Sequence, residues 1–145
     1  MGKIGLVLEG GGMRGAYTAG VLDWLIEHEM VFDYVVGISS GALYSGMYVL
    51  GKRDALYQAA VKVAADKRNV GWEAIKHEKT IVGYEFLYDT ITKTLDYPIA
   101  ELANITTHND IGVYDIEAQK TIWIDQKQVA KNPKFIQAAC TLPIF

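Results

Sequence analysis

The sequence predicts an α/β fold of three layers, α/β/α, around a mainly parallel central sheet that is incomplete towards its C-terminal end. Three observations predict it. Two short apolar runs, Lys3 to Leu8 and Asp33 to Val36, each end at a glycine-rich turn and lead into a helical pattern, all within about fifty residues. Strand, helix, strand, helix at that spacing gives crossover units, and crossovers build parallel sheets whose faces must be covered. The stretch Ala42 to Leu50 is apolar nearly all round, as suits a helix buried against such a sheet. The last residues, Thr141-Leu142-Pro143-Ile144-Phe145, are apolar and carry no capping signal, an odd place for a finished domain to stop.

The elements follow in order. Lys3 to Leu8 reads as a buried strand ended by Gly10-Gly11-Gly12. A helix is expected from about Met13 to His28, with Val21, Leu22, Leu25 and Ile26 on its core face and Asp23, Glu27 and His28 on another. Asp33 to Val36 is the second strand, and Gly51 suits the C-terminal cap of the helix over Ala42 to Leu50. Asp54 can cap a helix carrying Leu56, Ala59, Ala60 and Val63, and Tyr84, Leu87, Tyr88, Ile91 and Leu95 form a second helical stripe. Pro98 fits the first turn of a short helix ending near Asn104. Ile111 to Ile116 and Thr121 to Asp125 read as a hairpin joined by Glu117 to Lys120, and Asn132-Pro133 starts a helix through Phe135, Ile136 and Ala138. No repeat or linker divides the chain, so residues 1–145 read as one domain.

Composition narrows the function. Half of the 145 residues are apolar, 21% are charged and the net charge is −3. No Lys/Arg cluster forms a nucleic-acid surface, so no nucleic-acid partner is expected. Cys140 is the one cysteine, which rules out an internal disulfide and a cysteine-based metal site; it reads as a small buried residue beside Ala138 and Ala139. The apolar run Ile4 to Leu8 is too short for a signal-peptide core, and no stretch reaches the roughly 20 residues of a membrane span. A cytoplasmic location is the expectation.

The chemistry concentrates at two glycine turns. In Gly37-Ile38-Ser39-Ser40-Gly41, glycines stand two before and two after Ser39, and not so around Ser40. A nucleophilic serine must project above its strand at a helix N-terminus, and the sharp turn that does this crowds the backbone where those glycines stand. The helix dipole favours negative charge developing near Ser39. Acyl transfer also needs donors for the oxyanion, and Gly10-Gly11-Gly12 can offer bare backbone N–H groups. Two parallel strands deliver their C-terminal ends to one edge of the sheet, so both turns meet there. Arg14 could hold the loop or attract an anionic head group.

Other readings of the same residues exist. Gly10 to Gly15 also spells the dinucleotide fingerprint Gly-x-Gly-x-x-Gly, which expects an acidic residue at the end of the second strand; Asp33 stands at the opposite end, where that strand begins, and the far end carries Gly-Ile-Ser-Ser-Gly. Ser39 could be an ordinary helix cap. His28, His77 and His108 lie at a helix end, in a charged run and in a polar loop, and read as solvated rather than catalytic. Tyr44 and Tyr48 could line a greasy pocket. The competing functions are a nucleotide-binding module and a non-catalytic lipid- or protein-binding relative.

At these residues the sequence resembles the patatin-like phospholipases. Leu8-Glu9-Gly10-Gly11-Gly12-Met13-Arg14-Gly15-Ala16 is similar to the family's glycine-rich oxyanion loop, and Gly37-Ile38-Ser39-Ser40-Gly41-Ala42 to its nucleophile turn. Ala138-Ala139-Cys140-Thr141-Leu142-Pro143-Ile144-Phe145 is similar to the segment that precedes the catalytic aspartate. The resemblance implies a lipid acyl hydrolase of phospholipase A or esterase type in lipid breakdown. It would work through a Ser–Asp dyad without histidine, metal or other cofactor. It matches Ser39 to the nucleophile, Gly10, Gly11, Gly12, Met13, Arg14 and Gly15 to the oxyanion and substrate-binding loop, and Gly37 and Gly41 to the nucleophile turn. The family's aspartate is followed by glycine, and no aspartate here is; Asp110, Asp115 and Asp125 lack that context. The expected catalytic aspartate therefore falls beyond Phe145. The expected partners are an acyl-ester substrate, transient contact with a membrane surface, and a second copy of the chain where apolar surface lies open.

Overall fold

The structure is a computed structural model and describes residues 2–142. Four strands, β1 (Gly5–Leu8), β2 (Tyr34–Ile38), β3 (His108–Asp115) and β4 (Lys120–Asp125), form one sheet in the order β1-β2-β3-β4. The first three are parallel, and β4 returns antiparallel to β3 as the expected hairpin. The described helices are α1 (Gly15–Glu27), α2 (Ser40–Val49), α3 (Arg53–Tyr57), α4 (Trp72–Glu78), α5 (Tyr84–Asp89), α6 (Gln126–Lys131) and α7 (Lys134–Cys140). The fold is thus α/β with a mostly parallel open sheet. The apolar ending Pro143-Ile144-Phe145 lies outside the described residues.

Burial along the strands alternates, as the two-residue period of a pleated sheet dictates. Leu8, Val35, Ile111 and Ile124 face the helices and are buried, while Val7, Ile38, Tyr114 and Trp123 on the opposite face are exposed. The covered face carries the core, in which Leu22 of α1, Met47 of α2, Leu56 of α3 and Ile136 of α7 are fully buried. Topology explains the asymmetry. Parallel crossovers are right-handed, and strands added in the single direction β1, β2, β3 send every crossover to the same face. Among the described residues, the second helical layer of the expected three is not supplied.

Several local expectations need correction. Val21, expected on the core face of α1, is 44% exposed, because the buried arc runs through Ala19, Leu22 and Leu25. Asp54 does not cap α3. Helix α2 ends in a Schellman turn, with Gly51 at φ 65° donating to the Tyr48 carbonyl and Lys52 to that of Met47. The chain re-enters helix directly, so Lys52 takes the cap position and Asp54 falls inside the first turn, where it still favours the dipole. The helices starting at Arg53 and Tyr84 continue as π-helical turns over Gln58–Val63 and Thr90–Thr94. Tyr44 is buried under α1 as a core residue, whereas Tyr48, whose hydroxyl donates to the Met30 carbonyl, lines a mostly apolar cavity of about 210 Å³ with Ile26, Met30, Phe32 and Val49.

Two helices, α4 and α6, have no counterpart in the sequence-based reading. A signal for α6 was legible: Asp125 and Gln128 stand three apart and form a reciprocal capping box. The Gln128 backbone N–H donates to Asp125 Oδ1 at 2.9 Å, and the Asp125 N–H to Gln128 Oε1 at 3.1 Å.

Candidate active site

The β2–α2 corner places Ser39 between strand and helix at φ 54°, ψ −123°. A residue with a Cβ rarely adopts that conformation, which costs on the order of 1–3 kcal/mol. Glycines make room for it. A Cβ on Gly37 would land on the Gly41 carbonyl, and one on Gly41 would land on the Leu8 carbonyl and 2.8 Å from that of Glu9. The start of α2 therefore rests directly on the end of β1, as the spacing of the two turns predicts.

That contact also brings the glycine loop to the serine. A Cβ on Gly10 would stand 2.9 Å from Ser39 Cβ and 3.6 Å from Ser39 Oγ. Beyond Gly10 the chain turns through Gly11 and enters a short 3₁₀ turn, Gly12–Arg14, with Gly12 at φ +56°, in the left-handed region where glycine is favoured. The Gly11 carbonyl accepts from the Arg14 N–H at 3.1 Å, whereas the N–H groups of Gly11 and Gly12 donate to no group among the described residues. Met13 and Arg14 are exposed, and Arg14 has no ion-pair partner among the described residues. Gly15 is different: it is buried, and a Cβ there would press on Ser40 Oγ at 2.7 Å and on the Tyr44 ring at 2.9 Å. Its visible work is the close packing of α1 on α2.

The two adjacent serines part company. Ser39 is half-buried and its side chain caps nothing, although it occupies the N-cap position of α2. The ordinary helix-cap reading therefore loses the hydrogen bond that would justify it. The Ser40 hydroxyl is buried against Gly15 and has no partner among the described residues.

The histidines and the C-terminal aspartates are engaged elsewhere. His28 stacks on Trp24 with ring centroids 3.9 Å apart and donates from Nδ1 to the Trp24 carbonyl. His77 pairs with Glu73 on α4 at 3.5 Å. His108 stacks on Tyr34 and sits 3.2 Å from Asp110, and the Tyr34 hydroxyl donates to Asp110 at 2.8 Å. Burial and then the neighbouring Asp110 carboxylate push the Tyr34 hydroxyl up to about 12. This cluster lies at the start of β2 and β3, five residues before Ser39, or about 16 Å along the strand. Asp115 accepts from the Ala118 N–H in the hairpin, and Asp125 caps α6. Cys140 is partly rather than fully buried and its neighbour Ala138 is exposed; the surrounding apolar groups still push its thiol up to about 12. No group of three or more His, Cys, Asp or Glu side chains among the described residues could hold a metal ion.

Next to the serine corner opens a groove of about 680 Å³, lined by Ile38, Gly112, Tyr114, Ile116, Thr121 and Leu142 among others. Sequence reasoning did not single it out, since it joins the exposed strand face to the end of α7. No helix among the described residues is long and apolar enough to cross a membrane.

Comparison with known proteins places the chain in a family. A protein of Caenorhabditis elegans named for a patatin-like phospholipase domain is 51% identical over 45 residues, 31% of this chain and 4% of that protein. The YjjU protein of Escherichia coli is 52% identical over 42 residues, 28% of this chain and 12% of its own length. The chain thus spans only a small part of these relatives. The patatin-like phospholipase profile, by contrast, matches residues 6–145, almost the whole sequence. With both glycine turns, the parallel strands that join them and this match in agreement, the chain belongs to the patatin-like phospholipase family.

Proposed function

We propose that the protein is a serine lipid acyl hydrolase in which Ser39 attacks the ester carbonyl. The family supports lipid acyl ester hydrolysis in general terms. The observation that carries the residue assignment is the strained Ser39 backbone, held between Gly37 and Gly41 with Gly10 against it and the hydroxyl capping nothing. Strain of this kind persists where a position is needed for something other than stability.

In this reading Gly10, Gly11, Gly12 and Met13 supply backbone N–H groups to the oxyanion, and Arg14 draws an anionic head group. One such donor is worth about 2.7–4 kcal/mol in a transition state. The apolar groove beginning at Ile38 takes the acyl chain. In this proposal the base is an aspartate outside residues 1–145, because no aspartate here is followed by the glycine that the family resemblance calls for, and residues 1–145 are the nucleophile-bearing part of one hydrolase domain. Transient contact with a lipid surface and a cytoplasmic location belong to the same proposal. The dinucleotide alternative lacks its acid, because β2 ends at Ile38 and runs into Ser39.

A fluorophosphonate probe tests the assignment. Labelling should disappear in Ser39→Ala and persist in Ser40→Ala. Labelling that survives Ser39→Ala removes Ser39 from the mechanism. Ester turnover by residues 1–145 should be at least about a hundredfold below that of a form carrying the aspartate; equal, Ser39-dependent turnover by both refutes the off-chain base.

A further inference from the structure

We propose that the β3–β4 hairpin selects the substrate by acyl-chain length, the chain running from Ser39 along the hairpin and the head group lying on the side of the glycine loop. This rests on the hydrolase reading and deepens it, from which residue attacks to which esters are taken and how they lie. Sheet order and register carry it. Ser39 follows β2, and β2 stands between β1, which ends in the glycine loop, and β3. Strand β2 stops at Ile38, opposite Gly112, whereas β3 and β4 stay paired as far as Asp115 and Lys120. The hairpin therefore rises past the Ser39 corner, on the side away from the glycine loop. From Gly112 to Ile116 it climbs about 13 Å, at the usual rise per strand residue.

The groove follows that overhang. It begins at Ile38, the residue before Ser39, and passes Gly112, Tyr114 and Ile116, with Ala138 and Leu142 on the α7 side. Its start is kept clear by the missing side chain of Gly112. A Cβ there would stand 3.2 Å from the Ile38 side chain and 3.1 Å from the Trp123 ring. Tyr114 and Ile116 stand open along the rest, 59% and 66% exposed. Among the described residues, Lys134 is the one charged side chain of the lining, and its ammonium lies 5.7 Å over the Tyr88 ring. Such a trough gains from covering methylenes, whereas a charged or strongly hydrated head group would lose water there without partners. The head group is left to the other side of Ser39, where exposed Glu9 and Arg14 flank the glycine loop. The length of the overhang matches an extended chain of about ten carbons.

The test is the rate at which alkyl fluorophosphonates of rising chain length label the 145-residue chain, at concentrations where it sediments as a monomer. The rate should climb from butyl to decyl by about tenfold or more and level off beyond, where further methylenes gain no cover. Tyr114→Ser/Ile116→Ser, at exposed positions and checked by circular dichroism, should bring the two rates within about threefold of each other and leave butyl labelling as it was. Ala138→Trp, which fills the groove from the α7 wall, should slow decyl labelling alone. Tyr17→Ser, on α1, should alter neither rate. A parent that takes both chains equally overturns the proposal, and so does a double variant that keeps the decyl preference. Calorimetry of dodecanoate binding to Ser39→Ala separates the two readings. Binding that weakens when Tyr114→Ser/Ile116→Ser is added, while no chain length labels Ser39 in the parent, sinks the hydrolase alone. Labelling that needs Ser39 yet ignores chain length sinks the hairpin's role alone.

Discussion

The two faces of the sheet carry similar residues and meet opposite fates. On one, Leu8, Val35, Ile111 and Ile124 disappear beneath α1, α2 and their neighbours. On the other, Val7, Ile38, Tyr114 and Trp123 stand in solvent, Val7 at 76% exposure and Trp123 at 52%. Hydrophobicity does not separate these sets. The direction in which strands were added does, because a right-handed crossover can cover only the side to which that direction sends it. An apolar residue on a strand therefore does not say which face of the sheet its own crossovers cover. We propose that the open face meets either further chain of the same protein or, in residues 1–145 alone, a second copy.

Three substitutions sharpen the contrast. Ile111→Ala, at the centre of the covered face, should cost about 2–5 kcal/mol through lost burial and the cavity left behind. Chemical denaturation measures it, and a loss below 1 kcal/mol would mean that the covered face is loosely packed. Ser39→Gly should stabilise the fold by about 1 kcal/mol, since glycine adopts φ 54° without strain. The same variant should lose all probe labelling, so a stability gain joined to silence is the expected signature, and an unchanged midpoint would deny the strain. Trp123→Ser should change stability least, by less than about 1 kcal/mol, because an exposed side chain forfeits little burial. Its effect should appear instead as weaker concentration-dependent association in sedimentation velocity, and identical sedimentation of variant and parent would take the open face out of self-association.

Legibility in the sequence followed the range of the interaction. Both glycine turns were readable because steric crowding at a strand-to-helix corner is local and glycine is its common remedy; Gly37 and Gly41 sit where a Cβ would collide with backbone. The parallel pairing of β1 and β2 followed from one intervening helix, and the hairpin of β3 and β4 from a short polar turn. Val21 was misplaced for the opposite reason. A single helix offers several apolar arcs, and only its neighbours decide which one is buried. The π-helical turns at Gln58–Val63 and Thr90–Thr94 were hidden because a 3.6-residue period was assumed throughout. The capping box at Asp125 is a local signal, Asp and Gln three residues apart, and is legible in the sequence.

The sequence by itself determined the local chemistry: which serine stands between two glycines, which strands precede which turns, and that the chain is α/β. Those features depend on sterics and periodicity within a few residues. Only the tertiary structure decided that Gly10 lies against Ser39, that Gly15 packs α1 on α2 while Gly12 turns the loop, and that one sheet face and one ridge of α1 stay open. Each of those depends on where distant segments cross, and crossing is set by handedness and packing among elements rather than by any short stretch of chain.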